Sequence, residues 1–176
     1  MTHRVAVIGA GLAGLSCARV LRKAGCYVDV FERDRVIGGR MGTLRIGLTQ
    51  FDHGAQYITA KHEKFQAFLD EIVNSGYAAR WHAKVSMTDE AGNPMHPWIV
   101  GTPGMASIVR PLAESVRIHT NRNVHTLKRT DRAWHVWFDD QTSAGPFAAV
   151  AITVPAFEAR LLLGELDEMS DPLAKV

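Results

Sequence analysis

The feature that most constrains this chain is Gly9-Ala10-Gly11-Leu12-Ala13-Gly14, set between an apolar run and a helical pattern. Val5-Ala6-Val7-Ile8 reads as a buried parallel strand, because nothing in it alternates with polar residues. Leu12 to Ala24 places Leu15, Ala18 and Leu21 at helical spacing, and Gly25 is a helix stop. Tyr27 to Phe31 reads as a second strand that ends at Glu32. A G-x-G-x-x-G alone is weak, but between a strand and a helix, with an acid closing the next strand, it marks a β-α-β dinucleotide site. Gly9 permits the tight turn, Gly11 lets backbone approach a pyrophosphate, and Gly14 lets helix and strand pack closely. The helix N-terminus favours the negative charge. Glu32 can accept from both adenosine ribose hydroxyls, and its charge disfavours a 2′-phosphate.

Gly38-Gly39-Arg40 follows shortly after. Two glycines allow a second backbone segment to close over the pyrophosphate, and Arg40 offers it a cation. A nicotinamide cofactor that comes and goes has little need of this, whereas a flavin stays bound through turnover. The pattern therefore points to FAD rather than NAD.

Together, "GAGLAG", "IGGRMGT" and "FDHGAQYIT" resemble the first half of the flavin-containing amine oxidase superfamily, and in particular its renalase branch. "VGTPGM" at 100–105 and "TVPAFEA" at 153–159 resemble later segments of that branch. The resemblance implies an α/β fold: a Rossmann-like FAD-binding domain of the glutathione-reductase and amine-oxidase type, with part of a mixed α+β substrate domain. It assigns residues 1–58 and 99–157 to the FAD domain and 59–98 and 158–176 to an incomplete substrate domain. By position it puts Gly9, Gly11, Leu12, Ala13 and Gly14 along the pyrophosphate, Glu32 on the ribose and Arg33 beside the adenosine. Gly39, Arg40 and Met41 would wrap the far side, Gln56 and Tyr57 would lie near the flavin ring, and the Val124 backbone would pair with adenine. The implied activity is hydride transfer from a reduced small molecule to flavin, with oxygen as acceptor and hydrogen peroxide as product. Isomeric dihydronicotinamide dinucleotides are the substrates implied by the renalase branch, and amines those of other branches. A non-enzymatic adenine-dinucleotide-binding module is the alternative. The family continues into a further segment of the flavin and substrate sites, so the chain reads as a fragment or a truncated form. No catalytic residue is assigned.

Further along, His62 to Ser75 predicts a helix with Phe65, Phe68, Leu69, Ile72 and Val73 as its stripe. Strands are expected around 81–87 and 95–100, joined by the turn chemistry of "DEAGNP". Pro103-Gly104 opens a helix toward Ser115, which Pro111 should bend or shorten. Short strands are expected at 116–118, 124–127 and 133–138, a buried one at 147–154, and a helix on Phe157, Leu161 and Leu162.

The remaining features exclude more than they assert. A net charge of +2 with dispersed basic residues gives no footprint for nucleic acid. No apolar stretch reaches about 18 residues, so no membrane-spanning helix is expected. Cys17 and Cys26 make no disulfide framework, which suits a reducing cytoplasm, and both sit on the adenosine side of the fold, so the FAD is expected to be non-covalent. His53, His62, His82, His96, His119, His125 and His135 lack a metal-ligand spacing. Trp81, Trp98, Trp134 and Trp137 are expected to pack a core.

Overall fold

A computed structural model describes residues 3–82 and 98–164. The described chain divides into two units, residues 1–39 with 112–176, and residues 40–111.

In the first unit, β1 (Arg4–Ile8), α1 (Leu12–Lys23) and β2 (Tyr27–Phe31) follow the predicted order. They are joined by β7 (Arg117–His119) and β11 (Ala149–Ile152) in a parallel sheet of order β11-β1-β2-β7. Helix α1 packs against β1 and β2, burying Gly14, Leu15 and Ala18. An antiparallel sheet of β8 (Val124–Thr130), β9 (Ala133–Phe138) and β10 (Ser143–Phe147) covers the alternate residues of the parallel strands. Ala6, Ile8 and Phe31 from the parallel sheet meet Val124, Val136, Phe138 and Phe147 in one core. Period-two alternation makes this layering possible, since successive residues of β1 feed opposite faces. Helix α4 (Ala156–Leu163) adds Leu162 to that core.

Asp29, at the middle of β2, is a buried acid with 3% exposure. Arg4 holds one of its carboxylate oxygens (2.9 Å) and His119 the other (2.9 Å). Arg117 stands 4.0 Å away. Burial pushes the Asp29 carboxyl up, but the hydrogen bonds of His119 and Arg4 and the Arg4 charge together hold it below its ordinary value. A depressed folded-state pKa gives stability that is present above about pH 4 and lost as pH falls through the folded value. Asp29→Asn should therefore cost about 2 kcal/mol at pH 6, less than a fully buried pair because Arg4 keeps contact with water. The deficit should shrink in acid below pH 4. Urea midpoints at pH 6 and pH 3 check this, and an equal deficit at both would contradict the linkage.

The second unit holds β3 (Thr43–Ile46) and β4 (Thr49–Asp52) as a hairpin, then α2 (Glu63–Asn74). The strands β5 (Ala78–Trp81) and β6 (Trp98–Gly101) pair antiparallel, and the expected "DEAGNP" turn lies outside the described residues. His62 caps α2 by accepting from the Lys64 N–H, and Leu69 and Ile72 bury its stripe.

Several sequence expectations need correction. The helix expected from Pro103 to Ser115 is a 3₁₀ turn, Met105–Val109, followed by the short α3 (Arg110–Ala113). Pro111 sits in the first turn of α3, where its missing N–H costs nothing. The single buried strand expected at 147–154 is split between β10 and β11, which belong to different sheets. In α4, Phe157 and Leu161 are exposed, while Ala159, Leu162 and Leu163 turn inward. Of the tryptophans expected in a core, Trp134 packs half-buried against that of the first unit, whereas Trp81 is 45% exposed.

Candidate functional site

The site begins with the backbone of residues 9–14. Gly9 has φ +99, and its N–H donates to the Phe31 carbonyl at 2.9 Å, so the turn leaves β1 while tied to the end of β2. Gly11 is the N-cap of α1, with no side-chain cap and no acid in the first turn. The first N–H groups of a helix have no partner within it, so here they are left for a ligand or water. Gly14 lies where helix and loop touch. A Cβ added there would fall inside the Gly9 carbonyl oxygen and 2.7 Å from Thr153 Oγ1. At Gly11 the same test meets nothing nearer than Gly38 O and Gly39 Cα, both at 3.9 Å. The three glycines thus have separate causes: conformation at Gly9, space for something else at Gly11, contact at Gly14.

The two glycine segments, distant in sequence, meet. The Gly38 N–H donates to the Ala10 carbonyl at 3.0 Å, and Gly11 and Gly38 form an isolated parallel bridge. Gly39 adopts φ +55, and a Cβ on it would stand 3.3 Å from Gly11 Cα. A side chain at Gly39 would both strain that positive φ and press on the Gly11 backbone.

Glu32 closes the arrangement from below, with 5% exposure. Its Oε2 accepts from the Ala10 N–H (2.7 Å) and its Oε1 from the Asp34 N–H (2.9 Å). Each oxygen keeps a further lone pair that these bonds do not use. Its backbone also bridges, donating to the His119 carbonyl and accepting from the Arg122 N–H. The sequence expectation gave Glu32 one task; the geometry gives it a second, as the tether of the glycine turn. Glu32→Gln would set an amide N–H₂ against one of two backbone donors. It should lower the stability of the ligand-free chain by about 1–3 kcal/mol and weaken ADP binding besides. Denaturant unfolding and calorimetric titration separate the two, and unchanged stability would show the tether to be idle.

The other expected residues are placed as follows. Leu12 and Ala13 form the first turn of α1. Arg33 is exposed and paired with Glu158 at 2.9 Å. Val124 opens β8 with its side chain in the core beside Phe31. Arg40, Met41, Gln56 and Tyr57 belong to the second unit. There Met41 is buried, Gln56 is exposed, and the Tyr57 ring stacks on Trp98 at 4.2 Å with planes 2° apart. The Arg40 backbone has a defined use: its carbonyl accepts from the Ala55 N–H at 2.9 Å, and a Cβ on Gly54 would collide with it. Asp52 accepts from the Thr43 hydroxyl (2.5 Å) and the Met105 N–H (2.9 Å). The Asp52–Tyr57 string thereby organises its own unit.

Two participants were missed by the sequence reading. Ala10 is fully buried and links Glu32 to Gly38 through its own N–H and carbonyl. Thr153 donates its hydroxyl to the Ile8 carbonyl (2.7 Å) and backs the Gly9–Gly14 contact. Neither carries a pattern; both act through position alone.

Residues 7–72 match the family model of the NAD(P)-binding Rossmann-like domain. Mouse renalase is 29% identical over 175 residues, covering 93% of this chain and 50% of renalase. The putative oxidoreductase UacF of Escherichia coli is 44% identical over 66 residues, covering 38% of this chain and 10% of that protein. Among solved structures, a putative protoporphyrinogen oxidase from Exiguobacterium superposes with TM-score 0.68 at 12% identity, over 93% of this chain and 62% of that one. Putrescine oxidase bound to putrescine gives 0.64 at 16% identity, over 92% and 60%. The chain spans about half the length of renalase and less of UacF. Residues 7–72 thus belong to a Rossmann-like dinucleotide-binding domain, the fold is shared with these two oxidases, and the sequence is similar to renalase over nearly the whole chain.

Proposed function

We propose that the complete protein is an FAD-dependent oxidoreductase that oxidises a reduced small molecule and passes the electrons to oxygen, yielding hydrogen peroxide. The observation that carries this reading is the meeting of an uncapped helix N-terminus with a second glycine segment. The open space at Gly11 fits a pyrophosphate, because the backbone N–H groups there have no side-chain competitor. When bound, flavin supplies a two-electron acceptor, and the chain supplies binding and orientation.

In this reading the amides of Gly11, Leu12 and Ala13 hold the pyrophosphate, and Gly9 and Gly14 shape the turn that presents them. Glu32 receives the ribose hydroxyls on its remaining lone pairs, Arg33 flanks the adenosine, and the Val124 backbone meets adenine. The resemblance adds Gly39, Arg40 and Met41 on the far side and Gln56 and Tyr57 near the ring. Cys17 and Cys26 are free thiols in and just after α1, and the FAD is held without a covalent bond. The resemblance to the renalase branch implies dihydronicotinamide dinucleotides bearing the hydride at an unproductive ring position as the substrate. An amine is the second reading, drawn from the putrescine-bound neighbour, whose likeness is one of fold.

FAD-loaded protein tested anaerobically should lose its flavin absorbance on adding such dihydronicotinamides and keep it on adding amines. Acid precipitation should leave all the yellow colour in the supernatant. Bleaching by amines alone would exchange the two substrate readings. A chain that binds neither ADP nor FAD would end the cofactor reading itself.

A further inference from the structure

The parallel sheet has a second end, which the cofactor reading does not use. Arg4, Tyr27 and Arg117 are the first residues of β1, β2 and β7. Together with Arg22, Asp29 and Ser115 they line a cleft of about 400 Å³. The glycine turn follows the last residue of β1, so a strand's length, roughly 13 Å for four steps, separates the two places.

The charge in this cleft is uneven. Three guanidinium groups face one carboxylate, a net of two positive charges from 3 − 1. Asp29 is already engaged, by Arg4 on one oxygen and His119 on the other. Arg4 spends further donors on the Gly145 carbonyl and stacks on Phe147. Arg22 gives one donor to the Cys26 carbonyl (3.2 Å), and Arg117 stands at the 4.0 Å limit from Asp29. Both retain most of their fork. A basic residue in the last turn of a helix is ordinary, which accounts for Arg22 alone but not for Arg117 on a neighbouring strand beside it. The hydroxyls of Tyr27 and Ser115, on the same walls, are further donors.

We propose that this cleft is a second anion site, which takes the phosphate group of a small phosphorylated compound or free phosphate between Arg22 and Arg117. A phosphate monoester carries about −1.5 to −2 charges at neutral pH, which balances the surplus; one carboxylate would balance half of it. Its several acceptor oxygens also suit two guanidinium forks better than a point charge would. Asp29 is part of the site as the anchor that fixes Arg4, and its negative charge faces the Arg4 and His119 side.

The test is a titration of the full chain, saturated with ADP so that the glycine turn is occupied, with inorganic phosphate and separately with ribose 5-phosphate. Amide resonances are followed at low ionic strength. Saturable shifts are expected at Tyr27, Ser115 and Arg117, with residues 9–14 unmoved. Tighter binding of ribose 5-phosphate would identify a phosphorylated compound as the ligand, and tighter binding of phosphate the free ion. Arg117→Ser, whose side chain is 74% exposed, should keep the melting temperature and weaken binding about tenfold or more. Arg22→Ser should do the same. Shifts that never saturate, shifts confined to residues 9–14, or unchanged binding by both variants would overturn the site. None of these outcomes depends on whether FAD is the cofactor.

Discussion

Gly14→Ala should unseat the fold. The added methyl would overlap the Gly9 carbonyl oxygen and lie 2.7 Å from Thr153 Oγ1 and 3.0 Å from the Gly9 carbonyl carbon. Neither obstacle can swing aside. Gly9 is anchored by its N–H to Phe31, and the Thr153 hydroxyl is bonded to the Ile8 carbonyl. The remaining escape is to lift α1 from the sheet, which would expose Leu15 and Ala18, both fully buried. Overpacking against adaptable side chains costs about 1–3 kcal/mol, and here the obstacle is backbone, so about 3–5 kcal/mol is expected. That is a large share of the roughly 5–15 kcal/mol that holds a domain together. Poor soluble yield and a strongly lowered urea midpoint should follow. A midpoint within about 1 kcal/mol of the parent would mean that helix and turn are not in the contact described.

Gly11→Ala, three residues earlier, should do the opposite. Gly11 has φ −81 and ψ −175, which any residue adopts, and the new methyl has only 3.9 Å neighbours. Stability should change little or rise by about 0.4–1 kcal/mol as the unfolded chain loses freedom. Binding of ADP should nevertheless fall at least about a hundredfold, near 2.8 kcal/mol, because the methyl stands before the amides that would receive the pyrophosphate. Unfolding curves and ADP titration on this one variant keep the two effects apart. Parent-like ADP affinity would remove the pyrophosphate from Gly11. The contrast between two alanines in a single motif is sharper than either result alone.

The β-α-β unit was legible because its residues constrain one another at short range. Gly9 needs a positive φ, the apolar run before it has strand length, and Leu15 and Ala18 sit one turn apart. The break between β10 and β11 was not legible, since Phe147 to Val154 is continuously apolar or small. Only the partners distinguish them: Phe147 pairs with Trp134 in the antiparallel sheet, while Ala149 pairs with Val5 in the parallel one. The β3–β4 hairpin was missed for another reason. Thr43 to Ile46 alternates over only four residues, and the apolar side it makes, with Leu44, Ile46 and Phe51, is about half-exposed rather than buried in a core. In the site, the glycines were readable from type and spacing, whereas the second task of Glu32 was not. No local pattern foretells that a carboxylate will take the N–H of a residue 22 positions away.

That double task has a consequence for altering nucleotide preference. In many dinucleotide sites the acid after the second strand is treated as an exchangeable selector, replaced to admit a 2′-phosphate. Here the carboxylate secures Ala10, and Ala10 in turn secures Gly38, so on the proposed reading selector and scaffold would be one side chain. Replacing it with a small or cationic residue would free two backbone donors before any new ligand contact formed. An engineer or an evolving lineage would first have to furnish other acceptors for Ala10 and Asp34, so on that reading cofactor choice would resist single substitutions.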